Sequence, residues 1–401
     1  MNPDLGRLQP YPFEKLAELK RGVEANHALD PIALSVGEPK HSPPALVLQT
    51  LTENVSKVSK YPATQGLPEL RQSVCNWLIK RFKLSKNSLC ADAHVLPVNG
   101  TREALFAFAQ AVVDRHSSPL VLMPNPFYQI YEGAALLAGA EPKYLCCRED
   151  EAYQPDFDSV SQEEWRRCQL IYLCSPNNPT GSTLSLETYQ TLIQLADRYD
   201  FTIASDECYS EIYPDDHCPP PGLLEVCRRL GRDDFKRCVV FHSLSKRSNL
   251  PGLRSGFVAG DKEIIQAFLR YRTYHGCAMS VPVQLASAAA WGDEDHVRQN
   301  RLLYREKFSA FAATLEDVWT LDQPQAGFNF WAKTPIDDEA FTRRLYAEKN
   351  ITVLPGSYLS RPVNGFNPGK NHVRMAMVAP LNECVEAAQR INQFIKTLSA
   401  E

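Results

Sequence analysis

The sequence predicts an α/β fold in which a mostly parallel sheet is followed by a smaller α+β region. Up to about residue 280, short apolar segments that end in polar residues alternate with amphipathic segments of helical periodicity. This alternation is typical of parallel strands joined by crossover helices. Beyond residue 280 the pattern changes to a long helical stretch, several short strands and a final helix. That change indicates the second region.

The individual elements follow from the spacing of the apolar residues. Short apolar runs bounded by polar residues predict buried strands. These runs lie at 95–98, 120–124, 169–175, 201–207 and 238–243. Apolar residues that recur every three or four positions predict helices. Such segments include 101–115, 184–200 and roughly 283–316. Three short strands, GFNFWAK, ITVLPG and HVRMAMV, complete the second region.

Composition and charge exclude several classes of protein. The chain has 401 residues, of which 44% are hydrophobic and 22% charged, as in ordinary soluble proteins. A net charge of −4 gives no reason to expect nucleic acid or an anionic membrane as a partner. No signal peptide and no membrane span are expected, because long apolar runs are absent from the sequence. The 12 scattered cysteines favour a reducing, cytoplasmic compartment, and no metal site is predicted.

Five of the predicted strands are followed directly by polar or aromatic residues. In open α/β sheets, ligands bind beyond the carboxyl ends of the strands. The five clusters are NGTR at 99–102, NPFYQIY at 125–131, SPNNPTG at 175–181, DECY at 206–209 and SLSKRSN at 243–249. Their recurrence in chain order predicts a ligand site along one edge of the sheet.

One part of this site suits a phosphate group. Thr101 opens a predicted helix, where a hydroxyl and free backbone N–H groups can bind an anion. A plain helix cap at Thr101 explains the same pattern equally well. Ser243, Ser245 and Arg254 offer further donors, and the Arg254 guanidinium can form two parallel hydrogen bonds.

Three other residues suggest chemistry on a flat ring. Tyr128 can stack on such a ring, although an isolated tyrosine is more often part of a core. Asp206 ends an apolar strand, where a carboxylate is costly unless it meets a cation such as a protonated ring nitrogen. Lys246 follows a buried strand, and a partly desolvated lysine can act as a nucleophile towards a carbonyl group. A solvated loop lysine is the alternative.

The segment SLSKRSNLPGLRSG, at 243–256, resembles the lysine motif of the class I and II aminotransferases, which are fold-type I pyridoxal-phosphate enzymes. SPNNPTG, DECY, KYPATQGLPELR at 60–71 and HVRMAM at 372–377 also resemble segments of this family, so the resemblance covers essentially the whole chain. Ser255 departs from the pattern, because the family usually has a small or apolar residue there.

The resemblance implies pyridoxal 5′-phosphate as the cofactor and assigns its contacts. Lys246 would bind it covalently, Asp206 would pair with the pyridine nitrogen, and Tyr128 would stack on the ring. Asn178 and Tyr209 would hydrogen-bond to the phenolic oxygen. The phosphate site would comprise Gly100, Thr101, Arg102, Ser243, Ser245 and Arg254. Lys246, Asp206 and Tyr209 are the candidate catalytic residues, with Lys246 moving the substrate's α-proton in a ping-pong transamination.

The resemblance extends to the substrate and to a second subunit. Arg374 would bind the substrate α-carboxylate, beside Asn178 and the backbone of Gly37. Tyr61 would reach the phosphate of the neighbouring subunit, which implies a homodimer with shared active sites. Asn178–Pro179 is the candidate for the cis peptide bond that the family often has near its site.

The family's fold implies a large domain with a seven-stranded sheet and a smaller α+β domain. We expect residues 1–45 to form an N-terminal arm that belongs to the small domain. Residues 46–282 would form the large cofactor-binding domain and 283–401 the small C-terminal domain.

Segments 8–16, 35–44 and 354–361 resemble one subfamily, the bacterial N-succinyldiaminopimelate aminotransferases of lysine biosynthesis. Aspartate and aromatic aminotransferases share parts of these motifs, so an enzyme for another amino acid, or a β-elimination lyase on the same fold, is the alternative. The candidates for binding the far end of a long, acidic substrate are Lys40, His41, Arg102 and Asn329, with Tyr11 and Phe13 as an apolar wall.

Two other classes fit the sequence less well. A transcription factor that senses the cofactor would carry an added basic DNA-binding domain, but the aminotransferase-like region begins almost at residue 1. A scaffold without activity would be expected to lose Lys246 or Asp206, and both are present.

Overall fold

The structure is a computed structural model that describes residues 1–400. Its strands, numbered along the described chain, are β1 Ile32–Ala33, β2 Val95–Val98, β3 Leu120–Asn125, β4 Glu141–Cys146, β5 Cys168–Cys174, β6 Thr202–Asp206, β7 Cys238–Ser243, β8 Gly256–Gly260, β9 Asn329–Lys333, β10 Ile351–Thr352, β11 Leu354–Pro355 and β12 His372–Ala376. The strand predictions in the first region are confirmed to within one residue at most ends. β4 and β8 are additional strands that the apolar runs did not predict.

Helices cover both faces of the large sheet and build most of the C-terminal region. In the described residues they are α1 Pro12–Leu19, α2 Ala45–Asn54, α3 Pro68–Arg81, α4 Ala91–His94, α5 Thr101–Val112, α6 Ile130–Leu137, α7 Gln162–Arg167, α8 Leu186–Tyr199, α9 Leu223–Arg229, α10 Leu244–Arg247, α11 Lys262–His275, α12 Val281–Gly292, α13 Asp295–Leu315, α14 Asp338–Lys349 and α15 Leu381–Ala400. No helix within residues 1–400 is both long and apolar enough to cross a membrane.

The large sheet confirms the predicted parallel architecture. Over the described residues it has seven strands in the order β2-β8-β7-β6-β5-β3-β4. Six of these strands run in one direction, and β8 runs in the opposite direction between β2 and β7. The central strands are mostly apolar and are buried along nearly their whole length, because helices cover both faces of the sheet. Their shared direction brings the carboxyl ends of β5, β6 and β7 to one edge.

The second region differs from the prediction in two details. The helical stretch predicted at 283–316 is two helices, α12 and α13, because Asp293 adopts an extended conformation after Gly292. The ITVLPG segment is also divided, since β10 pairs with β1 whereas β11 pairs with β12. The β1–β10 pair places the segment that follows β1 beside the C-terminal region.

Two apolar clusters pack on the large sheet, and a third joins β1 to the C-terminal strands and helices. Ala286, Ala290 and Trp291 of α12 belong to a cluster of the large sheet, although the predicted boundary at 282/283 assigns most of that helix to the small domain. The division into arm, large domain and small domain remains a prediction.

Candidate active site

A cavity of about 580 Å³ lies at the edge of the large sheet where the carboxyl ends of the parallel strands meet. It brings together most of the residues that the sequence singled out. The predicted residues that line it are Gly37, Thr101, Arg102, Tyr128, Asn178, Asp206, Tyr209, Ser243, Ser245, Lys246, Arg254 and Arg374. Tyr11 and Phe13 line it as well. Gly100 and Tyr61 are not among the lining residues.

Lys246 lies in α10, the single turn that follows β7. Ser243 caps this turn, because its hydroxyl accepts a hydrogen bond from the Ser245 backbone N–H at 3.1 Å. The Lys246 ammonium donates to the Gly37 carbonyl at 2.5 Å. Burial lowers the pKa of Lys246 to about 8, and the nearby Arg374 guanidinium contributes to the decrease. A substantial fraction of this amine is therefore neutral near pH 8.

Asp206 is the last residue of β6 and is almost fully buried. Its carboxylate accepts hydrogen bonds from the Tyr131 hydroxyl at 2.8 Å and from the Cys208 backbone N–H at 3.2 Å. Burial raises the pKa of Asp206 above its ordinary value, because no cation within residues 1–400 forms an ion pair with it. The site thus holds a carboxylate whose ionised form needs a positive charge from outside the chain.

An anion-binding surface lies where α5 begins. A Cβ atom at Gly100 would lie 2.2 Å from the Arg254 guanidinium, and Gly100 has a φ of +82°. Glycine is therefore required for the guanidinium to lie against the N-terminus of α5. Arg254 donates to the Pro251 carbonyl at 2.8 Å and remains exposed to the cavity. The guanidinium and the helix N-terminus together favour a bound phosphate.

Arg374 forms the opposite wall. Its guanidinium donates to the Ser35 carbonyl at 2.6 Å and to Asn178 Oδ1 at 3.1 Å. Burial lowers the pKa of Arg374, and its buried Nε atom has no hydrogen-bond partner in the described chain. A guanidinium in this state is suited to a carboxylate ligand. The predicted cis bond at Asn178–Pro179 is confirmed.

Four residues of the lining, here called the mouth, are Tyr11, Glu38, Arg102 and Tyr128, and the side chains of Glu38 and Arg102 are exposed. The Arg102 guanidinium donates to the Tyr128 hydroxyl at 2.7 Å and to the Tyr11 hydroxyl at 3.3 Å. Among residues 1–400 no carboxylate forms an ion pair with Arg102. Its positive charge is therefore available to a ligand that enters the cavity.

The other candidates for a distal contact lie outside the lining of the cavity. Lys40 is 3.7 Å from the carboxylate of Glu383. His41 is hydrogen-bonded to Asn300, and Asn329 is buried in β9. Arg102 is the one of the four proposed distal donors that lines the cavity.

Tyr61 is fully exposed and lies apart from the cavity of its own chain. This position leaves its hydroxyl free to contact another molecule.

Sequence reasoning missed three residues beside Asp206. Tyr131 contacts the carboxylate directly, and Cys174 and Cys208 line the same part of the cavity. Thr101 and Cys208 are in contact, with Oγ1 3.1 Å from Sγ. Tyr131 follows Tyr128 by three residues, so a second tyrosine in the NPFYQIY cluster was the available signal. Cys208 belongs to the DECY cluster, but no role was predicted for it, and nothing in the sequence distinguishes Cys174 from the remaining cysteines.

Comparisons with known proteins agree with this geometry. The sequence model of the family "Aminotransferase class I and II" matches residues 30–391. A curated relative, the LL-diaminopimelate aminotransferase of Nitratidesulfovibrio vulgaris, is 30% identical over 394 residues, which is 96% of this chain and 97% of the relative.

Two solved structures have the same fold over nearly their full length. An aminotransferase from Neisseria meningitidis is 48% identical, with a TM-score of 0.94 and coverage of 99% of this chain and 100% of the other. A probable N-succinyldiaminopimelate aminotransferase from Thermus thermophilus is 28% identical, with a TM-score of 0.81 and coverage of 95% and 99%.

Proposed function

The chain belongs to the class I and II aminotransferases, which depend on pyridoxal phosphate, and from that premise we propose that it moves the amino group of N-succinyl-LL-2,6-diaminopimelate to 2-oxoglutarate. The observation that carries the choice of substrate is the unpaired guanidinium of Arg102 at the mouth. The remaining residues of the cavity support the general reaction.

The residues of the cavity fit the cofactor. Arg254, Thr101 and the N-terminus of α5 would hold its phosphate, with Gly100, Ser243 and Ser245 beside them. Asp206 would pair with the protonated ring nitrogen, which supplies the missing cation. Tyr128 would lie against the ring, and Asn178 and Tyr209 would donate to the phenolic oxygen. When bound, pyridoxal phosphate supplies an aldehyde for the amino group and a conjugated ring that stabilises negative charge at the substrate α-carbon.

Lys246 has two tasks in this proposal. Its amine would bind the aldehyde of the cofactor, and once released by the amino donor it would accept the proton of the substrate α-carbon. A pKa of about 8 suits both tasks, because a general base is most effective when its pKa is near the working pH. Arg374 would orient the substrate by binding its α-carboxylate, so that the α-proton faces the amine.

The charge of the substrate distinguishes the candidates. The succinylated diamino acid carries two carboxylates at its far end and no ammonium there. Such a group matches the Arg102 guanidinium, which already lies between two phenol hydroxyls. Tyr11 and Phe13 of the N-terminal segment would cover the methylene chain.

Unacylated LL-diaminopimelate is the second candidate. It carries one carboxylate and one ammonium group at its far end, and Glu38 of the mouth offers a carboxylate for the ammonium group. The curated relative named for this activity supports the alternative. Arg102 and Glu38 therefore favour different substrates at one entrance.

The test is to supply a panel of amino donors together with 2-oxoglutarate and to measure the rate at which glutamate forms with each donor. The proposal expects the highest kcat/KM for the succinylated substrate. A preference for unacylated diaminopimelate, aspartate or an aromatic amino acid would refute the choice of substrate and leave the aminotransferase assignment intact. Pyruvate and ammonia as products would indicate a β-elimination lyase instead.

We also propose that the enzyme is a homodimer in the cytoplasm. The exposed Tyr61 follows a surface with the exposed apolar residues Leu46, Leu48, Val55 and Val58, and contiguous apolar surface marks an interface. Tyr61→Phe should then weaken retention of the cofactor by about three- to tenfold, the value of one hydrogen bond. Dialysis of the loaded protein measures this loss, and sizing measures the dimer. A wild-type protein that is an active monomer would contradict the proposal.

A further inference from the structure

The segment 35–41 contacts two of the cationic side chains that line the cavity, Arg374 and Lys246. The Ser35 carbonyl accepts a hydrogen bond from Arg374 at 2.6 Å, and the Gly37 carbonyl accepts one from the Lys246 amine at 2.5 Å. Because these contacts use backbone atoms, the position of the amine depends on whatever holds the segment in place. The far end of the segment, at His41, is held by Asn300.

Asn300 lies in α13 and is 2% exposed. Its Oδ1 atom accepts hydrogen bonds from His41 Nδ1 at 2.7 Å and from Asn249 Nδ2 at 3.1 Å. Its Nδ2 atom donates to the carbonyls of Lys246 at 3.3 Å and of Arg247 at 3.4 Å. These four hydrogen bonds use the full capacity of a side-chain amide. The opposite orientation of the amide would place two NH₂ groups face to face at Asn249.

This arrangement also fixes the state of His41. Since Oδ1 of Asn300 can only accept, His41 Nδ1 carries the hydrogen. Burial lowers the pKa of His41, and Lys307 contributes to the decrease, which favours the neutral ring. Its ring packs on Tyr304, with centroids 4.6 Å apart. His41 thus makes one donor contact and one packing contact, and the two can be separated by substitution.

We propose that Asn300 and His41 are positioning residues of the active site, which fix the segment 35–41 to the main chain of Lys246 and thereby hold the Lys246 amine in the cavity. The contacts form a closed circuit: the Lys246 carbonyl binds Asn300, Asn300 binds His41, and the same segment returns through Gly37 to the Lys246 amine. Breaking the circuit leaves the segment and α10 free to move independently. The amine then spends less time where a carbonyl group can reach it.

The inference rests on the proposed role of Lys246, so the experiment tests both separately. Apo-protein is mixed with pyridoxal phosphate, the rate of loading is followed by visible absorbance, and the adduct is reduced with borohydride and located by mass spectrometry. Labelling of the wild-type protein elsewhere than at Lys246 would refute the proposed role of Lys246. The rates of the variants test the positioning residues.

His41→Asn keeps a donor at the position of Nδ1 and loses the ring, whereas His41→Phe keeps the ring and loses the donor. We expect the rate of loading of His41→Asn to lie within about twofold of the wild-type rate. The rate of His41→Phe should be about three- to tenfold lower, a factor that corresponds to the free energy of one hydrogen bond. The two variants should have similar midpoints of thermal unfolding. Equal rates for all three proteins, or a slower rate for His41→Asn than for His41→Phe, would refute the proposal.

Asn300→Asp is the stronger perturbation, because it turns a carboxylate oxygen towards two backbone carbonyls. Its matched control is Asn392→Asp in α15, where Nδ2 donates to the Thr314 carbonyl away from the cavity. Loading of Asn300→Asp should be slower than that of His41→Phe, and loading of Asn392→Asp should equal that of the wild type. If Asn300→Asp does not fold, the His41 pair decides the question alone.

Discussion

The floor of the cavity differs from the mouth in how its side chains are held. We use the term floor for Asp206, Lys246 and Arg254, which lie at the ends of strands or in the turns that follow them. Asp206 is buried and accepts a backbone hydrogen bond, and Lys246 donates to a backbone carbonyl. Arg102 and Glu38 of the mouth are exposed, and Arg102 is held by two side-chain hydroxyls. Buried side chains tied to backbone atoms are fixed more firmly than exposed ones tied to other side chains. Substitutions in the floor should therefore impair the chemistry, and substitutions in the mouth should change selectivity.

The largest effect is expected for Lys246→Ala. The substitution removes the amine that we propose binds the cofactor and accepts the α-proton. We expect the rate of glutamate formation to fall by about 10⁴-fold, the upper end for a general base, while the protein folds and still binds the cofactor weakly.

Circular dichroism and a coupled glutamate assay measure these two properties. The matched control is Lys40→Ala, which removes an exposed lysine outside the cavity. A variant of Lys246 that retains activity, or an equal loss in both variants, would remove the basis for assigning the floor to the chemistry.

Asp206 should give the next largest effect. Asp206→Ala removes the carboxylate that we propose pairs with the ring nitrogen, whereas Asp206→Glu keeps an anion in a displaced position. Because loss of one partner of a buried ion pair costs about 3–5 kcal/mol, kcat should fall by about 10²- to 10⁴-fold in the alanine variant and by clearly less in the glutamate variant. Equal activities would show that the carboxylate is not needed as an anion. Steady-state kinetics at saturating substrate measures the difference.

The floor could be predicted from the sequence because strand direction alone brings its residues together. Asp206 and Lys246 each follow an apolar run, and parallel strands end at the same edge. Tyr131 was missed because its contact with Asp206 depends on how α6 packs, which apolar periodicity does not reveal. The motifs that suggested Gly37 and Arg374 came from the family resemblance, since β1 and β12 are far apart in the chain and meet only through the second region.

The mouth was predictable only in composition. Lys40 and Arg102 are both cations close to predicted site residues, and no local pattern separates them. In the structure Lys40 turns to Glu383, whereas Arg102 turns to Tyr11 and Tyr128. The partner of a long charged side chain is determined by tertiary contacts. Its orientation therefore follows from the fold and not from the neighbouring sequence.

A pH dependence connects the two regions. The pKa of Lys246 is lowered to about 8 mainly by burial, with Arg374 and Arg102 contributing. The neutral amine reacts with the aldehyde, so the rate of loading at a fixed concentration of pyridoxal phosphate should rise about tenfold per pH unit below pH 8 and level off above it. Stopped-flow absorbance from pH 6 to 9.5 measures the midpoint. A rate that still rises about tenfold per pH unit at pH 9.5, as expected for a lysine with the ordinary pKa of 10.5, would contradict a buried amine. Arg102→Leu should move the midpoint upwards, because it removes a neighbouring positive charge.

The smallest effect is expected for the selectivity of the mouth. Arg102 is exposed, so its attraction to a distal carboxylate is screened by water and is worth about 0.2–1 kcal/mol. Arg102→Leu should therefore lower kcat/KM for the succinylated substrate by up to about fivefold, mainly through KM, and should leave turnover of a short amino acid such as glutamate almost unchanged. Glu38→Gln is the matched variant, because it removes a charge of opposite sign from the same entrance. It should leave the succinylated substrate unaffected and weaken any use of unacylated diaminopimelate. A loss that is equal for long and short substrates in Arg102→Leu would place this residue with the floor, as part of the phosphate site. If the two variants instead change kcat/KM for the two long substrates in opposite directions, the exposed charges of the mouth determine which of the two substrates is preferred. The floor of the cavity would then perform the same reaction on both substrates.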